Sequence, residues 1–183
     1  MTTFEEKPET ARGRALFEML LGVHSLIRRD LGRVEALAAQ ALDGRTAEEI
    51  QEGVREIKRG GMLWRLQVDC LRHCRFVHLH HNAEDGEFFS ELRETNPVID
   101  PVIDRLKAEH RRVSTDLDAV EAAARALAED RSREARQAVV DSLEALQENL
   151  LAHLEYEELS IEATVRRLRE LPDAGLEIGR ARP

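Results

Sequence analysis

An all-α fold, an antiparallel up-down bundle of four helices with a short extra helix between the first and second, is what this chain predicts. Three observations carry that expectation. Apolar residues recur every three or four positions along four long segments, the pattern of helices that each bury one stripe. Leu, Ala, Glu and Arg dominate, with a single Trp and a single Tyr. Pro and Gly fall mostly at the segment boundaries, where helix breakers belong. At 183 residues the chain is long enough for one domain with a full core.

Residues 1–13 read as a polar, loose segment. The first helix runs from about Arg14 to Leu42, with Leu16, Leu20, Val23, Ile27, Leu31, Val34 and Leu37 in one stripe and His24 inside it. Asp43-Gly44 ends it, and Thr46 with Glu49 makes a capping-box pattern that opens the short helix near residues 47–58. Gly60-Gly61 breaks that helix. A second long helix follows from Met62 to Arg93, its seam made of Leu63, Leu66, Cys70, His73, Val77, His80, Glu84 and Phe88, with Trp64 as a core anchor near its start.

Asn96-Pro97 turns the chain, because the residue before a proline is pushed out of the helical region. The third helix, from Pro101 to Ala128, sets Ile103, Leu106, His110, Val113, Leu117 and Val120 in register. The fourth, from Ser132 to Glu170, does the same with Val139, Leu143, Leu146, Leu150, His153, Glu157 and Ile161. The bundle thus spans residues 14–170, and 171–183 form a tail with too few apolar residues to pack firmly.

With 36 acids against 27 Lys and Arg the formal charge is −9, which makes nucleic acid and anionic membranes poor partners. No basic region followed by an apolar run opens the chain, and no segment approaches the roughly 20 apolar residues of a membrane span. The expectation is a soluble cytoplasmic protein. Cys70 and Cys74 share one helix and read as reduced thiols, since an i, i+4 pair is awkward for a disulfide.

The histidines and acids on the seams are harder to place in a core. Residues 77–89 read VHLHHNAEDGEFF, three histidines and several acids on a half-apolar segment. The two halves of the bundle echo one another at these interruptions. His24 and Asp30 on helix one align with His110 and Asp116 on helix three, and His80-Glu84-Asp85 on helix two with His153-Glu157-Glu158 on helix four. His81 aligns with Leu154, so His80 is the better-supported inward residue of the adjacent pair. Positions i and i+4 stack on one face about 6 Å apart along the axis, so an imidazole and a carboxylate can converge on one point. Two such pairs with two further histidines supply four nitrogens and two carboxylates, the outline of a dinuclear metal site. That donor set suits iron, manganese or zinc. His73 lies about 10 Å along the axis from His80, too far to share the centre, and reads as core or rim packing; His78 reads as exposed.

On these residues the chain resembles the hemerythrin-like, or HHE cation-binding, domains. The resemblance rests on a lone His24-x-x-Ile-Arg, HHxxED from His80 to Asp85, Glu109-His110 and HxxxEE from His153 to Glu158, and covers roughly residues 14–170. It implies two non-haem irons, oxo- or hydroxo-bridged, with His24, His80, Glu84, His110, His153 and Glu157 as ligands and the two glutamates bridging. Hemerythrins proper carry a fifth histidine a turn from the first on helix three; here those neighbours are Leu106 and Ser114. His81, about 100° round the helix from His80, is the nearest substitute, the other reading being a solvated or supporting histidine. Ser90 departs from the LFP ending common after this helix.

The resemblance implies a diiron protein that binds or reacts with a small oxidant: dioxygen, peroxide or nitric oxide. Its alternative is an iron- or oxygen-responsive regulatory module without turnover. A metal store or a degenerate bundle is the third reading, and so complete a donor set disfavours degeneration.

Overall fold

The computed structural model describes residues 8–43 and 61–169. The expected short helix near 47–58, with its capping box, and the tail at 171–183 lie outside the described residues. Four long rods are present: α1 (Ala11–Asp43), α2 (Met62–Ala83), α4 (Asp100–Glu129) and α5 (Arg133–Val165). Between α2 and α4 come a π-helical turn (Glu84–Phe88), a short helix α3 (Phe89–Thr95) and a 3₁₀ turn (Pro97–Ile99). In the bundle α1 packs on α2 and α5, and α4 packs on the same two. The predicted all-α bundle is the observed fold. No helix of the described residues is long and apolar enough to cross a membrane.

The ends are fixed by the devices the sequence advertises, and by one it did not. Ser132 Oγ accepts from the Ala135 N–H and caps α5. Asn96 takes an extended conformation before Pro97, and its side chain accepts from the Val98 N–H. At the same end of the bundle as Asn96, which donates to Thr164 Oγ1, α1 begins at Ala11, ahead of the expected start; residues 1–7 of the expected loose segment lie outside the described residues. Thr10 Oγ1 caps Gly13 N–H and donates to the Leu168 carbonyl, while the Thr10 N–H reaches the Arg166 carbonyl at 2.8 Å. Here Gly13 lies against the end of α5. A Cβ at that position would sit 2.4 Å from the Arg166 carbonyl oxygen and 2.5 Å from that of Val165.

The second helix is not the continuous rod expected from Met62 to Arg93. It widens into the π turn at Glu84, where Gly86 has ψ −116°. Such turns insert a residue into a helix and occur often at functional sites. Ser90 Oγ donates to the Gly86 carbonyl just beyond it. Trp64 is also a correction: it is 55% exposed. The seam residue Leu66 is buried, and two positions along a helix is about 200° of rotation, so Trp64 points to the opposite side.

Buried apolar residues form two clusters. One runs from Ile27 to Ala41 on α1 and includes Leu66 to Val77, Val113 to Leu127 and Val139 to Leu154. The other gathers Leu16 to Leu20, Phe88 to Leu92, Ile99 to Leu106 and Ile161 to Leu168. On every rod the interruption between them falls at the polar seam residues. Cys70 and Cys74 are free and fully buried, and burial pushes both thiols up to about 12, so they behave as small hydrophobes.

His73 is buried as expected, yet neither ring nitrogen has a hydrogen-bond partner among the described residues. Burial lowers it to about 4, with Asp30 opposing and Arg72 adding to the shift. The folded protein therefore keeps His73 neutral while the unfolded chain protonates it below 6.5, so stability is lost as pH falls from about 6.5 towards 4.

Two outcomes are expected. Gly13→Ala should destabilise the bundle by about 1–3 kcal/mol, the usual cost of overpacking, in urea unfolding of wild type and variant; an unchanged midpoint contradicts the close approach. His73→Leu should remove on the order of 2–3 kcal/mol of acid-induced loss between pH 6.5 and 4, and parallel pH–stability curves for the two proteins would count against it.

Candidate metal centre

Seven seam residues, His24, His80, His81, Glu84, His110, His153 and Glu157, meet in the layer between the two apolar clusters. Each is at most 4% exposed. They fall into two groups whose donor atoms lie within 4.8 Å of one another: His24, His80, Glu84 and Glu157, and His81, His110 and His153.

The first group is contributed by α1, α2 with its π turn, and α5. The Nε2 atoms of His24 and His80 face each other at 3.0 Å. His80 Nε2 is 3.2 Å from Glu84 Oε1, and His24 Nε2 is 3.5 Å from Glu157 Oε2. The second group is contributed by α2, α4 and α5. Nε2 of His110 and Nε2 of His153 are 3.1 Å apart. The His81 ring stacks on His110 with centroids 4.0 Å apart and stands edge-on to His153 at 5.1 Å. His81, expected as a substitute ligand or as a solvated or supporting histidine, is not solvated: it is 4% exposed and turned inward.

The carboxylates join the groups. Glu84 turns Oε1 to His80 and Oε2 to His110, the latter at 3.6 Å. Glu157 Oε2 lies 3.5 Å from His24 and 3.6 Å from His153. All four carboxylate oxygens are buried without a hydrogen-bond donor among the described residues, as is His81 Nε2.

A second ring of acids surrounds the first. His24 Nδ1 is 2.8 Å from Glu158 Oε1, His110 Nδ1 is 3.0 Å from Asp85 Oδ1, and His153 Nδ1 is 3.2 Å from Glu109 Oε2. An ionised carboxylate can only accept, so each Nδ1 carries the proton and each Nε2 presents its lone pair inwards. Cations back these acids. Arg28 Nη1 donates to Glu158, Arg105 Nε donates to Glu109 and stacks on Tyr156, and Lys107 donates to the Asp85 carbonyl. These acids stand inside the HHxxED, Glu109-His110 and HxxxEE motifs, beyond the expected ligands. Their signal was an acid directly beside a seam residue in Glu84-Asp85, Glu109-His110 and Glu157-Glu158. His78, expected to be exposed, is partly so, 3.7 Å from Asp118.

The electrostatics are those of donors arranged for a cation. Burial lowers His24 to about 3, with Arg28, His153 and His110 adding to it, and lowers His153 to about 4. His80 and His81 are likewise pushed well down by burial and by the neighbouring imidazoles. Burial raises Glu84 and Glu157, and neighbouring acids raise them further. Two inward lone pairs at 3.1 Å repel each other unless something positive lies between them. Bonds of about 2.1 Å to one ion, meeting near a right angle, put neighbouring donors about 3 Å apart, close to the two Nε2 separations. The residues present therefore fit a bound cation, and each of the two groups has the donors to hold one.

The sequence pattern described as the hemerythrin HHE cation binding domain matches residues 15–165. Comparison with curated proteins and with solved structures finds no match to the chain.

Proposed function

Since the chain belongs to the hemerythrin HHE cation-binding family, we propose that it holds two irons and binds or reacts with a small oxidant, dioxygen, peroxide or nitric oxide. One observation carries this reading: two histidine groups face each other across carboxylates that touch both. A structural site for one ion needs no such duplication. When bound, an iron pair supplies electrons to a small oxidant.

The roles of the chain's own residues follow from their positions. His24 and His80 would hold one ion and His81, His110 and His153 the other, with Glu84 and Glu157 placed within reach of both groups. His81 takes the part of the fifth histidine whose usual position is occupied here by Ser114 or Leu106. Donors are unequal, with two nitrogens on one side and three on the other, so the His24–His80 side keeps room for an incoming molecule. Asp85, Glu109 and Glu158 keep the protons on Nδ1 and so orient the rings. The apolar clusters above and below, with Phe89 stacked on His110 at 5.5 Å, exclude water and large reductants.

Anaerobic loading with ferrous iron, followed by elemental analysis, should give two irons per chain, and peroxide or nitric oxide should then change the visible spectrum. One iron or none at saturation defeats the diiron reading; two irons inert to all three oxidants favour the regulatory alternative. His80→Ala and Glu157→Ala should each lose iron and about 3–5 kcal/mol of the loaded protein's stability, and unchanged iron in both variants removes those assignments. His81→Ala should lower the count from two towards one, whereas a full complement would return His81 to a packing role.

A further inference from the structure

We propose that Arg28 and Glu158 are a charge-compensated positioning pair that fixes His24 and sets the redox potential of the cluster from its donor-poor side. The inference rests on the diiron reading and adds to it a determinant outside the donor set.

The geometry is a chain of three side chains ending at one oxygen. Glu158 Oε1 accepts from His24 Nδ1 at 2.8 Å and from Arg28 Nη1 at 2.7 Å. The exposure falls along it, from 34% at the Arg28 side chain to 21% at Glu158 and none at His24. A full charge two bonds from a buried imidazole is weakly screened. The carboxylate favours the more positive, oxidised state of a metal on Nε2, and the guanidinium opposes it, so the potential depends on both together.

The internal echo isolates what is particular to this pair. Glu158 aligns with Asp85 and His24 with His110, and each lone histidine is held by the acid from the opposite half. The equivalent of Arg28 is Ser114, and Asp85 has no guanidinium on the oxygen that accepts from His110; its support is Lys107 on the main-chain carbonyl. His153 has a comparable relay, with Arg105 Nε on Glu109 Oε1 and the ring on Glu109 Oε2; among the described residues, the His24 side is where histidine and guanidinium meet on one and the same carboxylate oxygen. Arg28 also borders an open groove of about 470 Å³ between α1 and α5 with Glu35 and Glu155, which leaves its outer face accessible.

The test compares wild type, Glu158→Gln, Arg28→Gln and Glu155→Gln, each loaded anaerobically with ferrous iron, by iron titration and potentiometric titration. Glu158→Gln keeps the shape and loses the charge: iron affinity should fall about 10- to 100-fold and the midpoint potential should rise. Arg28→Gln should lower the potential, and exposed Glu155→Gln should leave it unchanged. Opposite signs at two residues that touch each other are not produced by simple loss of packing. Should Glu158→Gln hold too little iron to titrate, the downward shift in Arg28→Gln decides alone. Equal potentials in all four proteins, or a Glu155→Gln shift matching that of Glu158→Gln, overturn the inference while leaving the diiron reading standing. A wild-type chain that takes up no iron overturns that reading, and this one with it.

Discussion

Glu84 and Glu157 lie inside the bundle with no hydrogen-bond donor among the described residues on any of their four oxygens, and five imidazoles crowd the same layer. Protonation alone does not relieve this arrangement. The buried histidines resist a proton, so stability falls as pH drops below 6.5, where the unfolded chain takes protons up. The buried glutamates resist ionisation, so stability falls as pH rises above 4.5, where the unfolded chain releases them. Between 4.5 and 6.5 both penalties act at once, and outside it one remains. A cation removes both, because it needs the imidazoles neutral and the carboxylates charged. The rest of the molecule can be understood as the frame that makes this layer tolerable, with an apolar cluster on each side of it.

Symmetry explains much of the frame. The two halves of the bundle place a lone histidine and a His-x-x-x-Glu at equivalent points, and the acid after each glutamate crosses to the other half: Glu158 to His24, Asp85 to His110. Each half is thereby tied to its counterpart through the centre, α1 and α2 supplying His24, His80 and His81 and the other two rods His110 and His153. Among the donors and the acids that hold them, the departures from symmetry run in one direction. His81 has Leu154 as its equivalent, and Glu109, which holds His153, has Val23. Both departures enrich the His110–His153 side.

The bundle was legible because each rod buries one stripe, and the apolar spacing marks that stripe directly. Trp64 was misplaced because its residue type suggests burial while its angular position, two residues from Leu66, opposes it. The π turn was not legible, since a widened turn at Glu84 leaves the surrounding apolar spacing nearly intact. His81 defeated the single-seam picture for a reason of packing. Rod α2 lies between α1 and α4 and so has two inward directions, with His80 turned to the first and His81 to the second. Asp85, Glu109 and Glu158 could be seen as acids beside histidines, but each partners a ring on a different rod, and no spacing within one helix reveals that.

The two kinds of asymmetry have different physical consequences. Adding His81 to one group raises its donor count and leaves the other with His24 and His80, so in the proposed centre the imbalance would decide where an incoming molecule has space. Adding a guanidinium at Arg28, the position equivalent to Ser114, changes no donor and acts through charge on the poorer side. A centre with equal halves would offer no preferred face and no separate control of affinity and potential. Here the donor imbalance comes from His81 on α2 and the added charge from Arg28 on α1, so each can vary in sequence without disturbing the other.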